Sequence, residues 1–385
     1  MGIEGRLQVD LALAGAQVAK VRISSNRPVH AASVLRGRSI ADVQKMLPML
    51  FTVCSAAQSC AAARALEQAG GLVIAPATDR LRQSLVDLET LREHLWRVLL
   101  DWPGSVGEAP ARQVMAEVMG LQRQFTGALC LGADVFAFGG PECDGDRELM
   151  SAVRARLLEL LSREVFGAPV GTWLQVKSYS EFDDWVGRRD TPATRLMHKL
   201  MLEGWESAGA CTSLALPSLG DSEVEQAMRD YHYVERPQWL GECRETTSLG
   251  RVNSALLQDL RKRFGNGLLT RVVARLHEMA ALALNLVPAD GQGRSMAAEA
   301  SGLGIGQVAA ARGQLVHRVE LDRHQRVADY RILAPTEWNF HPAGVVSCAL
   351  SALRGGAEQI EQQGRLLISA IDPCVGYDLR LNQGG

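Results

Sequence analysis

Eight cysteines, at positions 54, 60, 130, 143, 211, 243, 348 and 374, are the side chains of this sequence best suited to soft-metal chemistry. None stands in a CxxC pair, so a zinc ribbon or a cysteine-only iron–sulfur cluster, which draw on closely spaced ligands, is not expected. Two cysteines differ from the rest by context. Cys54 precedes Ser55-Ala56-Ala57-Gln58-Ser59-Cys60 in a stretch that runs into Ala65-Leu66-Glu67, and Cys374 stands in Asp372-Pro373-Cys374-Val375-Gly376-Tyr377-Asp378-Leu379-Arg380. Each lies at the edge of a helical segment, among small residues that permit close approach. Free N–H groups and the dipole at a helix start favour a thiolate. Two such thiolates brought together would make a soft site for iron, nickel, copper or zinc. Spacing alone leaves open the alternative of two unrelated cysteines buried as small hydrophobes.

The other candidates carry less. Cys60 is off the helix face of Cys54 and reads as structural. Cys348 reads as buried in a helix after Pro342. Cys143, in Pro141-Glu142-Cys143-Asp144-Gly145-Asp146, reads as part of a solvated acidic turn without calcium-loop spacing. His317 and His324 read as surface or hydrogen-bonded histidines; His341, in Trp338-Asn339-Phe340-His341-Pro342, stands near the expected pocket but reads first as structural. Gly302-x-Gly304-x-Gly306 lacks the strand–loop–helix context of a nucleotide loop.

Cys54 and Cys374 are far apart in sequence, so the elements between them must bring them together. Leu7, Val9, Leu11 and Leu13 alternate with other residues and, after a Gly15 turn, Val21 and Ile23 do the same, predicting a β-hairpin over about 5–25. Ser39 with Asp42 predicts a capped helix to Leu47, and the alanine-rich stretch Ser55–Ala69 predicts another. Leu81, Leu85, Leu88, Leu95 and Leu99 recur at helical spacing up to Trp102-Pro103-Gly104, where the helix should stop. Further helices are predicted near 109–125, 145–166, 193–207, 252–263 and 267–286, with Leu149, Val153, Leu157 and Leu161 along one face. Alternation in Leu315, His317, Val319 and Leu321, then Val327 and Tyr330–Leu333, predicts a late hairpin over about 313–333. Helices near 342–353 and 355–368 precede a Gly/Pro-punctuated tail. The expected fold class is mainly α with small β elements (α+β), one unit spanning 1–385: hairpin, helical body over about 39–286, late hairpin, then C-terminal helices and tail over about 342–380.

Across 385 residues, 41 Lys+Arg balance 43 Asp+Glu for a formal net charge of -2, which excludes a simple electrostatic nucleic-acid binder. The longest apolar run, Met279 to Leu286, is short and interrupted by Asn285, so no membrane span is expected. Glu4 and Asp10 stand where a signal peptide would be basic and then apolar. A cytoplasmic protein with reduced cysteines is the expectation.

Both cysteine segments resemble the site motifs of the nickel–iron hydrogenase large subunit. Its N-terminal motif is Arg-x-Cys-Gly-x-Cys-x-x-x-His; alignment on Ala65-Leu66-Glu67 places Cys54 on the second cysteine, Phe51 on the first, Thr52 on the glycine and Gln58 on the histidine. Its C-terminal motif is Asp-Pro-Cys-x-x-Cys-x-x-His; Cys374 matches the first cysteine, Tyr377 replaces the second and Arg380 the histidine. Ile3-Glu4-Gly5-Arg6, Asn26-Arg27-Pro28 with Leu35-Arg36-Gly37-Arg38, Ala310-Ala311-Arg312-Gly313 and Pro335-Thr336-Glu337-Trp338-Asn339 resemble further family segments, in family order. The resemblance implies a large-subunit-like helical fold. It also implies a ligand pocket in which Arg312 and Pro335-Thr336 hydrogen-bond the cyanides of an iron centre, and a Glu4 whose family role is proton relay.

The departures redirect the expected function. The enzymes hold nickel with four thiolates, two of them bridging to iron. Here Phe51 and Tyr377 cannot supply the missing pair, and Arg380 offers no lone pair to a cation. No nickel is therefore expected, and hydrogen turnover is not. Nor is the removable C-terminal extension of the enzymes' precursors expected after Leu381-Asn382-Gln383-Gly384-Gly385. This combination is similar to the hydrogenase accessory proteins of the HupK/HoxV type. The similarity implies a non-catalytic scaffold, with Cys54 and Cys374 as metal ligands for a transient iron–cyanide–carbonyl unit. The implied partners are HypC-like and HypD-like maturation proteins and the hydrogenase large-subunit precursor, with no nucleic acid and no membrane. Two other implications are weaker: a divergent active hydrogenase, opposed by the lost thiolates, and a structural subunit of a quinone-reducing respiratory complex, opposed by the two cysteines kept.

Overall fold

A computed structural model describes residues 5–27, 29–141, 145–286 and 301–383. Glu4, Pro28, and Cys143 with its acidic neighbours Glu142 and Asp144 lie outside the described residues.

The chain opens on the expected hairpin, β1 (Leu7–Ala14) and β2 (Gln17–Ser25). Leu7, Val9, Leu11 and Leu13 all point inward and are buried, each such side chain contributing about 1.5–3 kcal/mol. Helix α1 (Ile40–Leu50) is capped as its sequence predicts, with Ser39 Oγ accepting from the Asp42 N–H and the Asp42 carboxylate bonding back. Helix α2 (Ser55–Ala69) has the predicted bounds but no side-chain cap of its own: Cys54 occupies the capping position. The cap comes from α3 (Pro76–Trp96). The Glu89 carboxylate accepts from the N–H groups of Ala56 at 2.8 Å and Ala57 at 3.1 Å, satisfying donors that a helix start leaves open.

The helical run does not stop before Trp102. It passes through a π turn at Arg97–Asp101 into a further turn, Trp102–Ser105. The π turn resets the hydrogen-bond register, and Pro103 then falls in a first turn, where its missing N–H costs nothing. Next come α4 (Arg112–Cys130) and α5 (Arg147–Leu161). In α5, Leu149 is 43% exposed while Met150, Val153, Leu157 and Leu161 are buried. Steps of four outrun a 3.6-residue turn, so the face drifts and Met150 takes the inner place. Shorter helices follow, including Tyr179–Gly187, Asp221–Met228 and Tyr231–Glu235, which the sequence reading did not resolve. The long buried α6 (Leu268–Asn285) closes the body.

The glycine-rich stretch is a strand. β3 (Leu303–Ala310) pairs with β4 (Gly313–Leu321), which pairs with β5 (Val327–Leu333), so the late hairpin is one part of a three-stranded antiparallel sheet. Its glycines are there for contact. A Cβ at Gly304 or Gly306 would meet the carbonyl oxygen of Ala65 or Ala61 at 1.9 Å. The strand backbone thus lies directly on the alanine face of α2, and both compositions have one cause. Then come α7 (Val345–Ser351) and α8 (Ala357–Ile371).

The tail is also a strand, β6 (Tyr377–Gln383), which runs parallel to β1 from Leu7↔Tyr377 to Leu13↔Gln383 and completes a sheet of order β2-β1-β6. Leu379 and Leu381 alternating with Asp378, Arg380 and Asn382 carry that signal. Among the described residues no helix is long and apolar enough to cross a membrane.

Candidate functional site

Cys54 is held by the start of α2, which Glu89 caps and β3 braces. Cys374 is held from both sides: α8 ends at Ile371, and β6 begins at Tyr377. Between them Asp372 adopts a left-handed backbone, φ 67°. That conformation is costly for a residue bearing a Cβ. It persists because the Asp372 carboxylate is locked by Arg97 at 2.8 Å, Arg312 at 3.3 Å and Arg275 at 3.5 Å.

These supports bring the two thiols to one cavity, close enough to shift one another's ionisation. Both line a cavity of about 50 Å³ with Phe51, Gln58, Arg312 and Pro335 in its wall. Thr336 is buried beside it, and its Oγ accepts the Cys374 N–H at 3.1 Å. The buried Arg312 donates from Nε to the Pro373 carbonyl at 3.1 Å and from Nη2 to Glu93 at 2.8 Å. Its Nη1 is buried and has no hydrogen-bond partner among the described residues. Arg27, paired with Glu337 at 2.9 Å, completes the rim.

The electrostatics are lopsided. The Cys374 thiol is lowered to about 6, first by the hydrogen bond from the Cys54 thiol, then by Arg312, Arg27 and the Thr336 hydroxyl acting against burial. Cys54 is pushed well above its ordinary value by that same hydrogen bond, with burial, the Cys374 charge and Glu89 adding to it. At neutral pH the pair therefore holds one proton: a Cys54 thiol donating to a Cys374 thiolate. Burial raises Glu89 to about 7, against the pull of its two N–H partners. Burial also opposes ionisation of Asp372, but Arg312, Arg97 and Arg275 outweigh it and lower its pKa.

The remaining sequence candidates separate. Phe51, at the end of α1, fills the cavity wall where the motif would place a thiol. Gln58 is buried, with Nε2 3.7 Å from the Cys54 sulfur and Oε1 accepting from His317 Nε2 at 2.8 Å. His317 Nδ1 is 2.8 Å from the Tyr330 hydroxyl, so that histidine is neutral and fully engaged in the core; burial lowers it to about 3. Tyr377 is not in the small cavity. It lines a cleft of about 1140 Å³ that reaches Cys374 and Arg312 from the other side, past Arg6, Arg97 and Arg365. Arg380 is exposed on β6 opposite Asp10 and lines neither space. His341 bonds Cys243 Sγ at 3.2 Å and does not line the small cavity. Cys60 is buried, as expected, but Cys348 is half-buried against the Cys211 thiol.

Sequence reasoning missed Glu89 and Glu93. Their signal was present: they continue the step-of-four row Leu81, Leu85 on α3, where carboxylates replace the apolar residues that a buried face requires. Among the described residues no three His, Cys, Asp or Glu side chains are grouped to hold a metal. A metal at the Cys54–Cys374 pair would have two protein sulfurs and would bring its other ligands with it.

Comparison with known proteins follows this geometry. No protein-family model matches the chain. It is similar to the hydrogenase expression/formation protein HoxV of Cupriavidus necator, 31% identical over 378 residues, covering 92% of this chain and 91% of that one. It is also similar to HupV of Azotobacter chroococcum, 28% identical over 385 residues and 98% of each chain, and to HupK of Azotobacter vinelandii, 27% identical over 385 residues and 98% of each chain. Its fold is that of the Ni-Fe-Se hydrogenase from D. vulgaris Hildenborough, with TM-score 0.66, 15% identity and 94% of each chain covered. An NAD+-reducing [NiFe]-hydrogenase aligns with TM-score 0.62, 16% identity and coverage of 93% of this chain and 92% of that one.

Proposed function

The chain belongs to the hydrogenase expression/formation proteins, and from that premise we propose that it serves hydrogenase maturation as a non-catalytic scaffold whose cargo is an iron–cyanide–carbonyl unit. Cys54 and Cys374 take the iron. Arg312 and Thr336, beside Pro335, take a cyanide. The cargo passes to the large-subunit precursor, with HypC-like and HypD-like proteins as donors.

The observation that carries this reading is the thiol–thiolate pair facing a buried guanidinium with one unused N–H. A soft metal takes thiolates. An anionic ligand entering a closed cavity needs a donor, because an unpaired buried charge is costly. Arg312 Nη1 is a donor without an acceptor, so the two needs meet. With one proton already absent from the pair, binding displaces only the one on Cys54. Phe51 keeps a third sulfur away, which limits the protein's grip to two bonds and suits release to an acceptor with more thiolates. The same limit disfavours nickel.

The test is infrared spectroscopy with metal analysis on protein purified anaerobically from cells making hydrogenase. Cyanide and carbonyl stretches with iron but no nickel are expected, and they should vanish in Cys54→Ala and in Cys374→Ala. Bands that persist in both variants, or stoichiometric nickel, would overturn the proposal.

A further inference from the structure

A second pair of cysteines meets elsewhere in the molecule. Cys211 lies in the loop after the helix Pro192–Leu202, anchored by its N–H donating to Asn266 Oδ1 at 2.9 Å; Asn266 in turn donates to Ser213 Oγ at 2.8 Å. Cys348 lies on α7, with its sulfur 3.8 Å from the carbonyl oxygen of Thr212, the residue next to Cys211. Cys348 Sγ thus lies against the loop beside Cys211, near enough for its thiol to help raise Cys211. Both residues are half-buried, and neither lines the Cys54 cavity or the large cleft.

We propose that Cys211 and Cys348 form a reversible dithiol–disulfide site, oxidised by small-molecule disulfides of the glutathione class. Three observations converge. A sulfur that already rests against its partner's loop can reach bonding geometry by side-chain rotation, whereas separated cysteines would need backbone movement. One partner sits on a helix and the other on a loop pinned by side-chain hydrogen bonds, so the contact is held and not incidental. Partial exposure gives a small reagent access, which an enclosed thiol would deny.

The chemistry balances. The Cys348 thiolate attacks the small-molecule disulfide, whose S–S bond breaks as a mixed disulfide forms and one thiolate leaves. Cys211 then attacks the Cys348 sulfur, the protein S–S bond forms, and the second small thiolate leaves. The two cysteine protons end on the two released thiols, and the reagent is reduced by the two electrons that the pair loses. Burial and the neighbouring thiol push Cys211 up to about 12, which makes it the slower thiol and the natural second attacker. The product staples the loop to α7. The inference does not depend on the iron reading.

The experiment treats the full chain with oxidised glutathione, alkylates the remaining thiols, and maps cross-linked peptides by mass spectrometry. A peptide pair joining Cys211 to Cys348 is expected in most molecules, lighter than the sum of its parts by two hydrogens and restored by dithiothreitol. It should form equally in Cys374→Ala, separating it from the first pair, and should disappear in Cys348→Ser, with the folded circular-dichroism spectrum retained. Glutathione adducts on Cys348 that never resolve to the cross-link, or both thiols recovered fully alkylated, would overturn the proposal.

Discussion

Among the described residues two pairs of cysteines lie close together, and their surroundings differ more than their chemistry. Beside Cys54 and Cys374 stands Arg312, which keeps one buried N–H unspent even after bonding Glu93 and Pro373. Beside Cys211 and Cys348 the guanidinium of Arg271 is paired with the buried Glu245, and its Nε and Nη2 have no hydrogen-bond partner among the described residues. The first pair therefore shares its proton and presents a thiolate at neutral pH, while Cys211 stays a thiol. Proximity of two cysteines is common to both. What separates a metal-ready pair from a redox-ready one is what acts on the thiol: the Cys54 hydrogen bond and then Arg312 draw Cys374 toward the thiolate, whereas burial and the neighbouring thiol outweigh Arg271 and hold Cys211 up.

Removing Arg312 should have the largest effect. Arg312→Met takes from Asp372 one of three guanidinium partners and leaves Glu93 with Arg92, and breaking a buried ion pair costs up to about 3–5 kcal/mol. Melting temperature should fall sharply, and the iron-bound cyanide and carbonyl bands should be lost even in the folded fraction, with the Cys211–Cys348 cross-link unaffected. A variant that keeps both its bands and its stability would break the comparison.

Gly306→Ala should come next. Its Cβ would collide with α2 at Ala61, and overpacking of this kind costs about 1–3 kcal/mol. Because α2 carries Cys54, disulfide cross-linking of Cys54 to Cys374 should drop while the second pair's does not. Equal loss at both pairs would mean a general loosening of the fold.

A third measurement follows thiolate chemistry directly. Iodoacetamide labelling of Cys374 should rise with pH and reach half its maximum near the lowered value of about 6. In Cys54→Ala the profile should move to higher pH, because the hydrogen bond from Cys54 is the largest cause of the shift. The sign is that of an acid whose charged form the fold favours: below that value Cys374 is protonated and the pair loses its readiness for metal. An unmoved profile would assign the shift to Arg312 alone.

The smallest effect sharpens the other side. Glu245→Gln removes an anion that raises Cys211 and frees Arg271, which lowers it. Labelling of Cys211 should shift to lower pH, making the second pair more like the first. No shift would mean that burial alone governs it.

The sequence reading reached the first pair and not the second for a physical reason. Cys54 and Cys374 lie in segments whose neighbours are also constrained, and the resemblance could be carried residue by residue along Asp372-Pro373-Cys374. Cys211 and Cys348 meet because a loop after one helix folds against another, and nothing local encodes that. Composition delivered α2, an alanine-rich helix with no exposed residue, and periodicity delivered the first hairpin, whose β1 buries one face. Periodicity missed β3, where glycine replaces the expected apolar side chains so that backbone can touch backbone, and β6, whose alternation is short and follows a proline and a glycine. Tyr377 and Arg380 were placed by motif on lost ligand positions. As members of β6 they take the directions that the strand imposes, one toward the large cleft and one to solvent. The carboxylates of α3 were visible as letters, but their meaning as cap and counter-ion depends on a helix that sequence alone does not position.

The parallel seam between β1 and β6 bears on when the pocket can come into being. β1 emerges early in translation, and its partner strand follows nearly all the rest of the described chain. At about 5–20 residues per second, tens of seconds separate synthesis of the two edges. Until the late strand docks, Cys374 has no fixed address, and Cys54 waits beside an unfilled gap. A nascent chain thus has no pocket to fill, and the proposed loading would await a polypeptide whose closing seam has formed.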